Sequence, residues 1–169
     1  KLKEGIYIVL AYLIIPILDS GVSSFSYLFK LYDKDIVLIY ERRGRTFVPP
    51  RKIFGIFESN IITGARVPAT TFFEFSESPV WVKDYRQEPP IAITNQLLSG
   101  QDAMPRLTAS LENRGFEPLY NIEAVAVLYD EQDNAIGASR TIVDSVAKGS
   151  AAKLVFTWPE RFLGTPTRI

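Results

Sequence analysis

Apolar and polar residues alternate with a period of two over much of this chain. Phe25, Tyr27, Phe29 and Leu31 fall on one side of an extended segment, and Ile122, Ala124, Ala126 and Leu128 do the same a hundred residues on. Further runs rich in Val, Ile, Thr and aromatics lie at Ile36–Tyr40, Arg45–Val48, Ile53–Phe57, Thr70–Phe75, Val125–Tyr129, Thr141–Val143 and Lys153–Trp158. Clusters of Gly, Pro, Asn and Asp separate them. No stretch sustains the 3.6-residue period of a helix, so the pattern predicts an all-β protein. Gly149 and two serines make Asp144–Ala152 an expected loop.

The pattern repeats. Leu-Tyr-Asp occurs at Leu31-Tyr32-Asp33 and again at Leu128-Tyr129-Asp130. Downstream, Arg45-Thr46-Phe47-Val48 aligns with Arg140-Thr141-Ile142-Val143, and Ile56-Phe57 with Val155-Phe156. Upstream, Ala11 and Leu13 align with Ala109 and Leu111. Repeats of this size predict two tandem immunoglobulin-like antiparallel β-sandwiches, although the Cys-Trp-Cys signature of antibody domains is absent. The expected plan is a first repeat over 5–78, a charged, Pro-rich linker over 79–89 and a second repeat over 90–169. The first is expected to lack an opening strand and the second a closing one. Lys1 and the strand-like entry at Arg168-Ile169 suggest a piece of a longer protein, any signal peptide or anchor lying outside it.

Each Leu-Tyr-Asp triplet reads as a folding device. Leu31 belongs with Phe25 and Phe29 on the core face, and Tyr32 points the other way. Asp33 is placed to end the strand by bonding backbone N–H groups two residues on, an Asx-turn. Leu128, Tyr129 and Asp130 repeat the logic. The residues Phe29-Lys30-Leu31-Tyr32-Asp33 spell F-x-L-Y-D, and the chain resembles the FxLYD domain family, small β-sandwich modules related to the desiccation-type sandwiches. The second copy has Ala126 where the motif has Phe. The resemblance implies an extracytoplasmic bacterial or archaeal protein, secreted or membrane-tethered, and it brings no catalytic residues.

Gly5–Leu18 carries no charge, but it is short for a membrane helix and contains Pro16. Its place in the repeat is that of the plainly polar segment Arg106–Asn113, which favours a strand over a membrane span. Ile14-Ile15-Pro16-Ile17 replaces the turn residues Glu112-Asn113-Arg114-Gly115 of the second copy. Ile15 and Ile17 are therefore candidates for an apolar docking loop, or else they fold back on the sandwich edge.

Composition narrows the chemistry. The 169 residues hold 19 Lys and Arg against 19 Asp and Glu, with no His and no Cys. Cys/His zinc sites, cysteine nucleophiles, Ser-His-Asp triads and disulfides are excluded. Balanced charge argues against nucleic acid as a partner. It also covers a modestly basic first half and a modestly acidic second half. Arg42, Arg43 and Arg45, with Arg51 and Lys52, form a local basic cluster, either a solubilising edge or a contact for anionic polymers or lipid headgroups. Asp130-Glu131-Gln132-Asp133-Asn134 gathers oxygens without the calcium-loop spacing and reads as a hairpin turn. Trp81 and Trp158 are expected as buried plugs at the sandwich ends, the alternative being sugar-stacking platforms.

The expectation is a non-catalytic extracytoplasmic module acting as spacer, scaffold or adhesion domain, with no cofactor, no metal and no evident small-molecule substrate. Its partner would be an unknown protein or cell-envelope component, met through Ile15, Ile17, Arg42 and Arg43. The alternatives are a glycan or anionic-polymer binding module, or an accessory domain of a cell-envelope enzyme.

Overall fold

The computed structural model describes residues 5–14, 19–50, 53–83, 90–162 and 164–169. The chain is all-β and divides into two compact units, Lys1–Arg86 and Gln87–Ile169. The first holds β1 (Ile6–Ile14), β2 (Ser20–Tyr32), β3 (Leu38–Val48), β4 (Ile53–Ile62), β5 (Thr70–Phe75) and β6 (Trp81–Lys83). The second holds β7 (Ile91–Ser99), β8 (Arg106–Asn113), β9 (Leu119–Tyr129), β10 (Ala135–Val146) and β11 (Ala151–Thr157). Every pairing is antiparallel.

In the first unit β1 pairs with β4, while β2 lies between β3 and β5 and also pairs with β6. Phe25, Tyr27, Phe29 and Leu31 are all buried on the inner face of β2, joined by Val9, Val48, Ile56 and Ile61. Rings from β5 close over them: Phe25 meets Phe75 edge-on at 5.3 Å, Phe29 meets Phe73 at 5.1 Å, and Tyr27 stacks on Phe73 at 5.7 Å. Two residues of β4, Ser59 and Asn60, oppose Ile8 alone, with Asn60 at φ 56°. This bulge turns both Glu58 and Ile61 inward, which a regular strand could not do.

In the second unit the sheets are β11-β8-β7 and β10-β9. Between them lie Leu107, Ala109, Leu111, Ala126, Leu128, Val146, Leu154, Phe156 and Trp158. A bulge at Asn95 interrupts β7 and leaves Ile93 opposite Leu111 and Leu98 opposite Leu107.

The pairings correspond. β1–β4 matches β8–β11, with Ala11 opposite Ile56 and Ala109 opposite Leu154. β2–β3 matches β9–β10, with Leu28 opposite Arg43 and Val125 opposite Arg140. Where Tyr32 pairs with Thr70 of β5, Tyr129 bridges to Arg168. These registers correct two alignments made on sequence. Ile56 corresponds to Leu154 and not to Val155, and Arg140 corresponds to Arg43 and not to Arg45. The first slip is one residue, which exchanges the faces of a strand; the second is two, which preserves them.

Three further readings change. Ile36–Tyr40 and Arg45–Val48 contribute to one strand, β3, running through Arg42-Arg43-Gly44. The loop expected over Asp144–Ala152 shrinks to Ala147–Ser150, with Gly149 at φ 64°. Trp81, expected as a buried plug in the linker, lies in β6 opposite Val22 and is 49% exposed: β6 is a three-residue strand paired to β2 through its backbone, and all three of its residues are exposed. Trp158 is a plug: it is buried, donates its ring N–H to the Ala138 carbonyl at 3.0 Å and meets Phe162 edge-on. Gly137 leaves room for both rings. Gly5–Leu18, the segment short for a membrane helix, contains strand β1, and among the described residues no helix is long and apolar enough to cross a membrane.

Candidate interaction surface

The first expected site residues do not act together. Alternation along β3 puts Arg42 on its inner face and Arg43 on its outer face, so the joint surface expected of them does not form. Ile15 and Ile17 lie outside the described residues.

Arg42 reaches between the sheets. Its Nε sits 3.7 Å from Glu58 Oε2, and its Nη2 donates to the Ser59 carbonyl at 3.3 Å. The other Glu58 oxygen accepts the Tyr27 hydroxyl at 2.6 Å. Arg42 Nε is the buried side-chain nitrogen that no hydrogen bond satisfies among the described residues. Glu58 is thus held by a phenol on β2 and a guanidinium on β3. In the second unit the same three positions are Ala124, Ser139 and Phe156, by the registers above. One sandwich spans its sheets with a polar bridge where the other uses an aromatic ring. Sequence reading missed this cluster, although Phe54, Ile56 and Glu58 share one face of β4 by simple alternation.

The outer face of β3-β2-β5 carries Arg43, Arg45 and Lys30, each met by a partner of the same unit; Arg51 and Lys52 lie outside the described residues. Arg43 forms a 2.9 Å ion pair with Glu41, Arg45 donates to Ser24 Oγ at 2.6 Å, and Lys30 meets Glu74 at 2.8 Å. The Glu74 carboxylate raises the Lys30 ammonium above its ordinary pKa. The carboxylates of Glu41 and Glu74 offset the charges of Arg43 and Lys30, while the Ser24 hydroxyl positions Arg45 without neutralising it.

The two Leu-Tyr-Asp turns are built alike. One Asp33 oxygen accepts the N–H groups of Asp35 and Val37, both at 3.0 Å. Asp130 accepts those of Gln132 and Asn134, both at 2.9 Å. The second oxygen of Asp33 takes Arg66 at 2.8 Å, and that of Asp130 takes the Asn134 amide at 3.1 Å. Both carboxyls lie below the ordinary Asp range, Asp33 mainly through the Val37 N–H and Asp130 mainly through the Asn134 side chain. Their oxygens are thus taken by the turn and, at Asp33, by Arg66, and the described residues hold no cluster of three or more acids suited to a metal. Residues Ile36 and Asp133 occupy the same turn position, at φ 60° each.

Asn113 ties down the other end of the second unit. It is 1% exposed, its Nδ2 donates to the carbonyls of Glu117, Val146 and Ala147, and its Oδ1 accepts the Gly115 N–H at 2.9 Å. Beside it, Glu112 lies below its ordinary pKa through the Thr94 hydroxyl and then Arg114. A shallow hollow of about 430 Å³ is lined by Gln101, Asp102, Arg161, Phe162 and the segment Gly164-Thr165-Pro166, with one acid, Asp102, and one base, Arg161, on its wall. No family model matches the chain, and no curated protein or solved structure is significantly similar to it.

Proposed function

We propose that the chain is a tandem pair of immunoglobulin-like sandwich repeats of the FxLYD type. It serves outside the cytoplasm as a non-catalytic spacer and protein-interaction module. The observation that carries this reading is the duplicated Asx hairpin, with matching bonds at Asp33 and Asp130 on matching strand pairs. Consistent with it, the distinctive polar groups serve architecture: Asp33, Asp130 and Asn113 hold turns, and Glu58 bridges sheets. The pairing of Arg42 and Arg43 with carboxylates of their own unit weighs against the anionic-polymer alternative.

The test is retention of the full chain by isolated bacterial envelopes, with and without prior protease treatment of the envelopes, at low and high salt. A protein-interaction module loses retention after protease and keeps it in high salt. Retention that survives protease and falls steeply with salt would establish the anionic-polymer reading instead.

A further inference from the structure

The hollow in the second unit is lined by polar side chains that the fold does not use. Gln101 and Asp102, on the turn between β7 and β8, meet Arg161, Phe162 and Thr165, from the segment after β11, around it. At Asp33, Asp130, Asn113 and Arg168 comparable polar groups are held by the fold itself. The side chains of Gln101, Asp102, Arg161 and Thr165 make no hydrogen bond or ion pair among the described residues. Asp102 and Arg161 in particular do not pair with each other, so an acid and a base stand apart on one opening. In the first unit the segment after β4 instead sends Arg66 into the Asp33 turn at 2.8 Å.

The frame of the hollow is fixed by backbone bonds. The Trp158 N–H donates to the Pro105 carbonyl at 3.0 Å and ties the end of β11 to the end of the β7–β8 turn. Within that turn Gly100 holds φ 65°, and its carbonyl accepts the Ala103 N–H at 3.2 Å. Phe162 is half-buried and rests edge-on against the buried Trp158 ring. The Thr167 N–H donates to the Tyr129 carbonyl at 2.8 Å, which takes the chain past the hollow and on to β9.

The lining selects the ligand. Asp102 only accepts hydrogen bonds and Arg161 only donates them, while Gln101 and Thr165 do both. An anion would be opposed by Asp102 and a cation by Arg161, so a neutral molecule fits best. It needs closely spaced donors and acceptors, and an apolar face to set against the Phe162 ring. A sugar ring has all of these in its hydroxyls and its C–H face. The volume of about 430 Å³ falls within the range of small-molecule sites, about 300–1,000 Å³. The hollow is too shallow to enclose a free amino acid, but it suits one unit of a chain whose neighbours stay in water. We propose that it binds a neutral sugar unit of a glycan, with Asp102 and Arg161 bonding its hydroxyls and Phe162 meeting its C–H face. This site adds to the protein-interaction reading and does not depend on it.

The experiment titrates the full chain with cellotriose, mannotriose and triacetylchitotriose and follows backbone and side-chain NMR shifts. At least one of these sugars is expected to bind with a millimolar Kd and to move the signals of Gln101, Asp102, Arg161 and Thr165 together. Asp102→Ala and Arg161→Ala should each weaken that binding about tenfold or more. Both side chains are exposed and neither bonds to the fold, so the variants keep the native structure. Spectra unchanged by all three sugars overturn the proposal. So do shifts confined to other residues, or an affinity that neither substitution alters. Movement of the same signals by free alanine and by none of the sugars also overturns it, and makes the hollow an amino-acid site. Millimolar binding at one site does not retain the chain on washed envelopes, so this result and the protease test are read separately.

Discussion

The Tyr27 hydroxyl donates to the Glu58 carboxylate at 2.6 Å and so joins β2 to β4 across the first sandwich. The Tyr27 ring gets there by lying over Gly44, directly opposite on β3, where a β-carbon would collide with it. Tyr27→Phe should therefore cost about 1–2 kcal/mol, since it removes a hydrogen bond to a charged group between the sheets. Gly44→Ala should cost about 1–3 kcal/mol through overpacking, and much less in a Tyr27→Ala background. Urea unfolding of the three single variants, Tyr27→Phe, Tyr27→Ala and Gly44→Ala, and of the Tyr27→Ala/Gly44→Ala double variant measures both. Additive costs would show that ring and glycine are independent.

Ile36 holds a left-handed backbone while 81% exposed, a poor arrangement for a β-branched residue. It has little burial to lose. Ile36→Asn should stabilise the first unit by about 1 kcal/mol. Asp133→Ile in the second unit should do the reverse, losing also its 2.8 Å contact with Arg168. Thermal melts of the two variants should shift in opposite directions.

Asn113→Leu should destabilise the second unit by about 2–3 kcal/mol, because the buried Val146 carbonyl and the part-buried Glu117 and Ala147 carbonyls lose their donor. Asn113→Asp should be at least as harmful, since it sets a carboxylate against those carbonyls. Unit-resolved hydrogen exchange would show the loss in β8, β10 and β11 and leave β1–β4 unchanged.

Stability should fall in acid for a stated reason. Asp33 and Asp130 both have folded pKa values below the ordinary 3.8. Their contribution is complete above that value and is lost as the pH drops from it through the folded values. Asn134→Ala should move the Asp130 titration back towards 3.8 and leave that of Asp33 in place. Carboxyl carbon NMR titration of the two residues separates these outcomes.

The all-β class and the inner face of β2 were legible because alternation at Phe25, Tyr27, Phe29 and Leu31 is a local signal. The Asx-turns were legible because an Asp at a strand end has few other uses. What escaped was register. The two copies are offset by one residue more along β4 than along β3, so linear alignment set Ile56 against Val155 and missed that Glu58 takes the place of Phe156. Arg42 and Arg43 read as a cluster because they are neighbours in sequence, but on a strand neighbours point apart. Trp81 read as a plug from its size alone, yet burial depends on what lies across from it.

The Asp33 and Asp130 turns also bear on the order in which the chain folds. Their bonds span at most four residues, so each hairpin closes with little loss of chain entropy. The β1–β4 sheet must instead bring Ile14 to Ile53 and Ile6 to Ile62. By that difference in contact order, the Leu-Tyr-Asp hairpin is expected to form the nucleus on which the opposite sheet later condenses. Substitutions at Asp33 would then slow refolding, and substitutions at Val9 would mainly speed unfolding, which stopped-flow kinetics can resolve.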